Sequence, residues 1–94
     1  MILHLVFFKF KDENREANMN KLRDDLEALE MDKVMKLEVG MNYNDSDRAW
    51  DLSLITEFET HEDLEEYQKF PPHVKIKEFI GKVCSGTAVV DYER

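Results

Sequence analysis

A tyrosine and a histidine flank two prolines late in the chain: Tyr67 precedes Pro71 and Pro72, and His73 follows them. Because prolines interrupt a helix, we expect a bend there that brings the phenol and the imidazole to one cavity. An imidazole accepts a proton near neutral pH, and a phenol donates a hydrogen bond to a developing oxyanion. The pair indicates aldol or enolisation chemistry. The alternative is a packing role, with Tyr67 under the sheet and His73 bonded to backbone.

The remaining histidines extend the candidate site but do not predict a metal centre. His4 lies in an apolar segment, where it is either a hydrogen-bonded core residue or a third member of the site. His61 follows Thr60 at a helix start, so we expect it to be exposed. The histidine spacing fits no zinc motif, and the three glycines are isolated, so they form no phosphate loop. We therefore expect no metal and no cofactor such as ATP or NAD.

Two periodicities define the elements that must position these side chains. Alternation predicts strands over 1–11, 33–43, 50–59 and 87–92, and helical spacing predicts helices over 12–31 and 60–83. The prolines break the second helix. The resulting β-α-β-β-α-β order predicts an α+β, ferredoxin-like protomer: an antiparallel four-stranded sheet with its helices on one face.

The first strand is apolar on both faces. Its two alternating sets are Ile2, Val6, Phe8 and Phe10 on one side, and Leu3, Leu5 and Phe7 on the other. Because the helices cover only one face, the other would expose an apolar patch too large for a monomer. We expect a homodimer closed through this sheet face.

Composition sets the broad class. Ninety-four residues suit one domain over 1–94, and a formal net charge of −8 argues against nucleic acid and membrane surfaces as partners. No apolar run approaches the roughly 20 residues of a membrane span. The single thiol, Cys84, and the lack of a signal-peptide pattern favour the cytoplasm.

Six short segments, spread over nearly the whole chain, form a recognisable set. They are ILHLVFFKFK at 2–11, EVGMN at 38–42, DLSLITEFE at 51–59, LEEYQ at 64–68, PH at 72–73 and VDYE at 90–93. In this order they resemble the stress-responsive A/B barrel family, or Dabb domain. The resemblance implies a dimeric α+β barrel in which the sheets of two protomers pair.

The same resemblance implies candidate site residues. Some family members are polyketide cyclases that use a His and a Tyr in a pocket between sheet and helices, and these positions correspond here to His4, Tyr67 and His73. Two positions depart from the pattern. The family often has His-Pro-x-His where this chain has Phe70-Pro71-Pro72-His73, and cyclase-like members have a further His at the position of Leu52. The polar set is thinner than in a cyclase.

Three functions stay open at this stage. The first is an enzyme or binding protein acting on a small carbonyl or phenolic compound, and the second is a non-catalytic dimeric stress or interaction protein. The third is an enzyme similar to cofactor-free monooxygenases. A cavity of about 300 Å³ or more with both imidazoles in its wall favours the first and third, and a filled core favours the second.

Overall fold

A computed structural model describes all residues 1–94. The elements are β1 (Ile2–Phe10), α1 (Arg15–Glu27), β2 (Lys36–Met41), β3 (Leu52–Phe58), α2 (His61–Lys69), α3 (Pro71–Val83) and β4 (Cys84–Glu93). All neighbouring strands are antiparallel, in the order β2-β3-β1-β4. The predicted ferredoxin-like α+β fold is confirmed, with the second helical region divided into α2 and α3.

Several element boundaries differ from the predicted ones. Helix α1 ends at Glu27 rather than near Met31, so Leu29 lies in the following turn, where it still packs against the core. Strand β3 begins at Leu52, and Trp50 precedes it, with its indole close to Gly86 of β4. Strand β4 begins at Cys84 rather than Thr87, directly at the end of α3. The apolar pattern places each element but does not fix its ends.

The core lies between the helices and one face of the sheet. Four alternate residues of β3 are at most 1% exposed: Leu52, Leu54, Thr56 and Phe58. Leu22 and Leu26 of α1 are fully buried against this face, which confirms the predicted contact of the first helix with the sheet. Burying one such leucine stabilises the fold by about 1.5 to 3 kcal/mol.

The break between α2 and α3 follows from local chemistry. Thr60 caps α2, its hydroxyl accepting from the Asp63 amide at 3.1 Å. Phe70 is extended, with φ −61° and ψ 121°, because a residue before proline disfavours the helical region. Pro71 and Pro72 then occupy the first turn of α3, where an amide hydrogen is not needed. Tyr67 is consequently near the end of one helix and His73 near the start of the next.

The other sheet face carries one of the two apolar sets of β1, and the structure shows that it is the set with Leu3, Leu5 and Phe7. Strand register places on it Leu3, Leu5, Phe7, Ile55, Ala88, Val90 and Tyr92. Val90 and Tyr92 are 52% and 46% exposed, because no helix of the fold packs on this side. None of the helices has both the length and the apolar character needed to cross a membrane.

Candidate functional site

The three residues singled out in the sequence lie together between the sheet and the α2–α3 junction. The rings of Tyr67 and His73 are stacked, with centroids 4.1 Å apart and planes at 30°. The His4 ring meets Tyr67 edge to face at 6.4 Å. All three residues are at most 5% exposed. The proline break therefore brings Tyr67 to His73, and the central strand adds His4.

Strand β1 holds His4 in a fixed orientation. Its Nδ1 lies 2.5 Å from Oδ1 of Asp91, the residue opposite it in β4. Its Nε2 lies 3.4 Å from the side-chain nitrogen of Gln68, and its carbonyl accepts from the Thr56 hydroxyl at 3.3 Å. When Nδ1 donates its hydrogen to the Asp91 carboxylate, Nε2 keeps a lone pair for a ligand.

His73 is a neutral imidazole at neutral pH. Burial, together with the positive charge of Lys77 and that of His4 when it is protonated, lowers the pKa of His73 to about 4. The Nδ1 atom of His73 is buried and has no hydrogen-bond partner in the protein. A buried polar atom without a partner lowers the stability of the fold by about 1 to 3 kcal/mol, which a purely packing residue would not need to do.

Tyr67 belongs to the core more fully than either histidine. It is fully buried, packs on Phe58 with ring centroids 5.2 Å apart, and shares a cluster with Ile2. Burial raises the pKa of its phenol well above the ordinary value, so it stays protonated. Its hydroxyl is buried without a partner in the protein. The residue therefore combines a packed ring with an unused hydrogen-bond donor.

A cavity of about 280 Å³ adjoins this cluster. Eleven residues from the sheet and all three helices line it, including His4, Gln68, His73 and Lys77. Both imidazoles are in its wall, whereas Tyr67 is not. The volume is just under the value of about 300 Å³ at which small-molecule pockets begin. A larger groove of about 530 Å³ lies between α1 and α3 and contains none of the three candidate residues.

The arrangement contains groups for proton transfer and no set of metal ligands. No group of three His, Cys, Asp or Glu side chains is placed to bind a metal ion. Burial, with the nearby charge of Asp51, raises the pKa of Cys84 to about 11, so this thiol is protonated at neutral pH. The chemistry available in the cavity is that of two imidazoles, the oriented His4 and the neutral His73, and the Tyr67 phenol lies outside the cavity wall.

Two members of the site, Asp91 and Gln68, are absent from the sequence-based set. Alternation along β4 places Asp91 on the same face as Thr87 and Val89, so the sequence pattern could have indicated that Asp91 faces the helices. The strand register that sets Asp91 opposite His4 cannot be predicted from the local sequence. Gln68 adjoins Tyr67 in the chain, but its contact with His4 depends on how α2 packs on the sheet.

Known proteins share both sequence and fold with this chain. The family described as "Stress responsive A/B Barrel Domain" matches residues 2–94. A stress-response A/B barrel domain-containing protein of Arabidopsis thaliana is 30% identical over 95 residues, covering 98% of this chain and 36% of that protein. The chain thus spans about a third of the length of the curated relative that it matches.

Solved structures share the fold over nearly the whole chain. A dimeric protein of unknown function from Bacteroides fragilis, with a ferredoxin-like fold, has a TM-score of 0.90 and 30% identity, covering 99% of this chain and 95% of that chain. A hydroxynitrile lyase from Passiflora edulis has a TM-score of 0.84 and 18% identity, covering 97% and 90%. The second likeness, at this identity, shows the fold alone.

Proposed function

Because the chain belongs to the stress responsive A/B barrel domain family, we propose that it binds a small carbonyl or phenolic compound between sheet and helices. We further propose that His4, held by Asp91, acts there as a general base. The observation that carries the proposal is the Nδ1 to Oδ1 contact of 2.5 Å at the wall of a cavity. A carboxylate on one imidazole nitrogen orients the ring and stabilises the imidazolium formed when the other nitrogen takes a proton.

The reaction best matched to these groups is enolisation. Nε2 of His4 removes a proton from the carbon next to a carbonyl. The electron pair of that C–H bond forms a C=C bond, and the π pair of the carbonyl moves to its oxygen, which gives an enolate. Return of a proton to the same carbon restores the ketone, so the cycle needs no oxidant or cofactor. Gln68 lies 3.4 Å from Nε2, a long contact that a ligand replaces at small cost.

His73 and Tyr67 have supporting parts in this proposal. A neutral His73 with a pKa of about 4 is a weak base, so the proton-accepting part belongs to His4. From the cavity wall, His73 forms a hydrogen bond with the bound compound, as either donor or acceptor. Tyr67 fixes the His73 ring by stacking at 4.1 Å, and it supports the site from the core rather than from the cavity wall.

The test uses 4-hydroxyphenylacetone in deuterium oxide. NMR follows exchange of its α-protons with the wild-type protein and with His4→Gln, while imidazole signals report binding. We expect wild-type protein to accelerate exchange and His4→Gln to lose about 100-fold, in line with general-base catalysis. His61→Gln is the matched control, since His61 is exposed and pairs only with Glu93. No acceleration above buffer would remove the catalytic proposal, and no shift of His4 or His73 signals would remove binding as well.

We propose in addition that two copies pair through the outer sheet face, which is the face away from the helices. The support is the uncovered apolar set on that face, including the half-exposed Val90 and Tyr92. The structural relative from Bacteroides fragilis, 30% identical, is dimeric. Burying this surface against a second copy supplies apolar burial that a 94-residue chain lacks alone.

A second candidate is a non-catalytic dimeric protein of the same family. The observation that favours it is the complete burial of Tyr67 among Ile2 and Phe58, as expected for a packing residue. Under this alternative, His4→Gln changes stability but not α-proton exchange, which wild-type protein does not accelerate either. The same experiment therefore decides between the two.

A further inference from the structure

The cavity beside His4 has a charge pattern unlike that of the whole chain. The chain has 21 acidic and 13 basic residues, for a formal net charge of −8. None of the eleven cavity residues is acidic, and Lys77 is the one lysine or arginine among them. His73 adds no charge at neutral pH. The cavity thus presents one ammonium group in a strongly acidic protein.

Lys77 is an exposed residue at the rim of the cavity, and one hydrogen bond holds its ammonium group there. Its Nζ donates to the backbone carbonyl oxygen of Gln68 at 2.8 Å, which joins α3 to the end of α2. Two of its three N–H donors remain. Lys77 forms no ion pair with an acidic side chain, whereas Lys21 on α1 pairs with Asp25 at 2.7 Å. Its charge is therefore available to a ligand.

The rest of the wall is mainly apolar. Val6 and Phe8 of β1 and Ile80 of α3 line the cavity, and Ile80 lies one helical turn from Lys77 on the same face of α3. A compound with one charged end and an apolar body matches this arrangement. A single ammonium suits a singly charged carboxylate, because a phosphate carries about 1.5 to 2 charges and is usually held by several donors or by arginine.

We propose that the compound bound here carries a carboxylate that pairs with Lys77, with its apolar body against Val6, Phe8 and Ile80. This inference rests on the proposed function, because it names the ligand class of the same cavity. It also gives the bound compound one orientation, with the carboxylate at Lys77 and the remaining carbons toward His4.

The experiment compares two compounds of the same shape, 3-(4-hydroxyphenyl)propanoate and 3-(4-hydroxyphenyl)propanamide, by NMR titration. We expect wild-type protein to bind the acid about tenfold more tightly than the amide, and added salt to weaken only the acid. Lys77→Gln should remove this preference, and Lys77→Arg should largely keep it. Lys75→Gln is the control, because Lys75 and Lys77 are both exposed on α3 but Lys75 lines the groove between α1 and α3.

The outcomes separate this inference from the proposal beneath it. If both compounds bind wild-type protein equally, the carboxylate inference is wrong and the binding cavity stands. If the acid is preferred and Lys77→Gln keeps that preference, the carboxylate lies elsewhere and the inference is again wrong. If neither compound shifts any cavity signal in the wild-type protein, both fail. Unchanged backbone spectra of the unliganded variants establish that the fold is intact.

Discussion

His4 and Asp91 lie 2.5 Å apart on neighbouring strands, although 87 positions separate them in the sequence. The imidazole is buried and the Asp91 side chain is 47% exposed, so the carboxylate reaches the imidazole from the solvent side. This pair connects the central strand to an edge strand at the wall of the cavity. It is also the feature of the site that substitutions can test with least damage to the core.

Replacing the carboxylate of Asp91 should impair the base without unfolding the protein. Asp91→Asn keeps the size of the side chain but loses the charge that stabilises a protonated His4. We expect α-proton exchange of 4-hydroxyphenylacetone to fall about 10- to 100-fold. Glu93→Gln, on the same face of β4, is the control, since the Glu93 carboxylate pairs with the exposed His61 and not with His4. An Asp91→Asn protein with full activity would show that the pair is structural.

The buried His73 should make stability depend on pH. Its pKa is about 4 in the folded protein and near 6.5 when unfolded, so the unfolded chain binds more protons between these values. The contribution is therefore complete above pH 6.5 and is lost as the pH falls toward 4. At about 1.4 kcal/mol for each pH unit between the two pKa values, this contribution to the free energy of unfolding amounts to about 3 kcal/mol.

Denaturant unfolding at several pH values measures this dependence. Carboxyl groups also titrate in the same window, so the useful quantity is the difference between wild-type protein and His73→Gln. We expect that difference to shrink steadily as the pH falls from 6.5 to 4. His61→Gln serves as the exposed control. A difference independent of pH would mean that His73 is not held neutral by the fold.

Truncating Leu26 of α1 should lower the stability of the fold. Leu26 is fully buried against the sheet and also lines the cavity. We expect Leu26→Ala to lower the free energy of unfolding by about 2 to 4 kcal/mol. Val74→Ala on α3 is the comparison, because Val74 is 38% exposed and should cost far less. Equal losses in the two variants would show that α1 does not close the core.

Two adjacent valines of β4 provide a paired test of the dimer. Val90 lies on the outer face opposite Leu5, and Val89 lies on the helix face opposite Val6. They are similarly exposed, at 52% and 58%. We expect sedimentation to show that Val90→Lys is a folded monomer and that Val89→Lys remains dimeric. Dissociation by both substitutions, or by neither, would count against pairing through the outer face.

The sequence predicted most of this arrangement because burial follows simple periods. Alternation in β3 corresponds to alternating burial of Leu52, Leu54 and Thr56, and the prolines correctly predicted the helix break. The partners of His4 were not predictable in the same way. Asp91 meets His4 only through the register of two strands far apart in the chain, and register depends on the packing of the whole sheet.

Strand β1 lies at the centre of the sheet, yet both of its neighbours follow it in the chain. During synthesis its amide and carbonyl groups on the β4 side stay without their partners until β4, which begins at Cys84, has been made. An unpaired apolar strand is a template for aggregation, and pairing between distant segments is slow. Since Asp91 belongs to that late strand, the His4 pair and the cavity wall form only when folding is complete. A nascent or partly folded chain therefore carries the aggregation hazard of β1 before it has any of the activity proposed for the finished site.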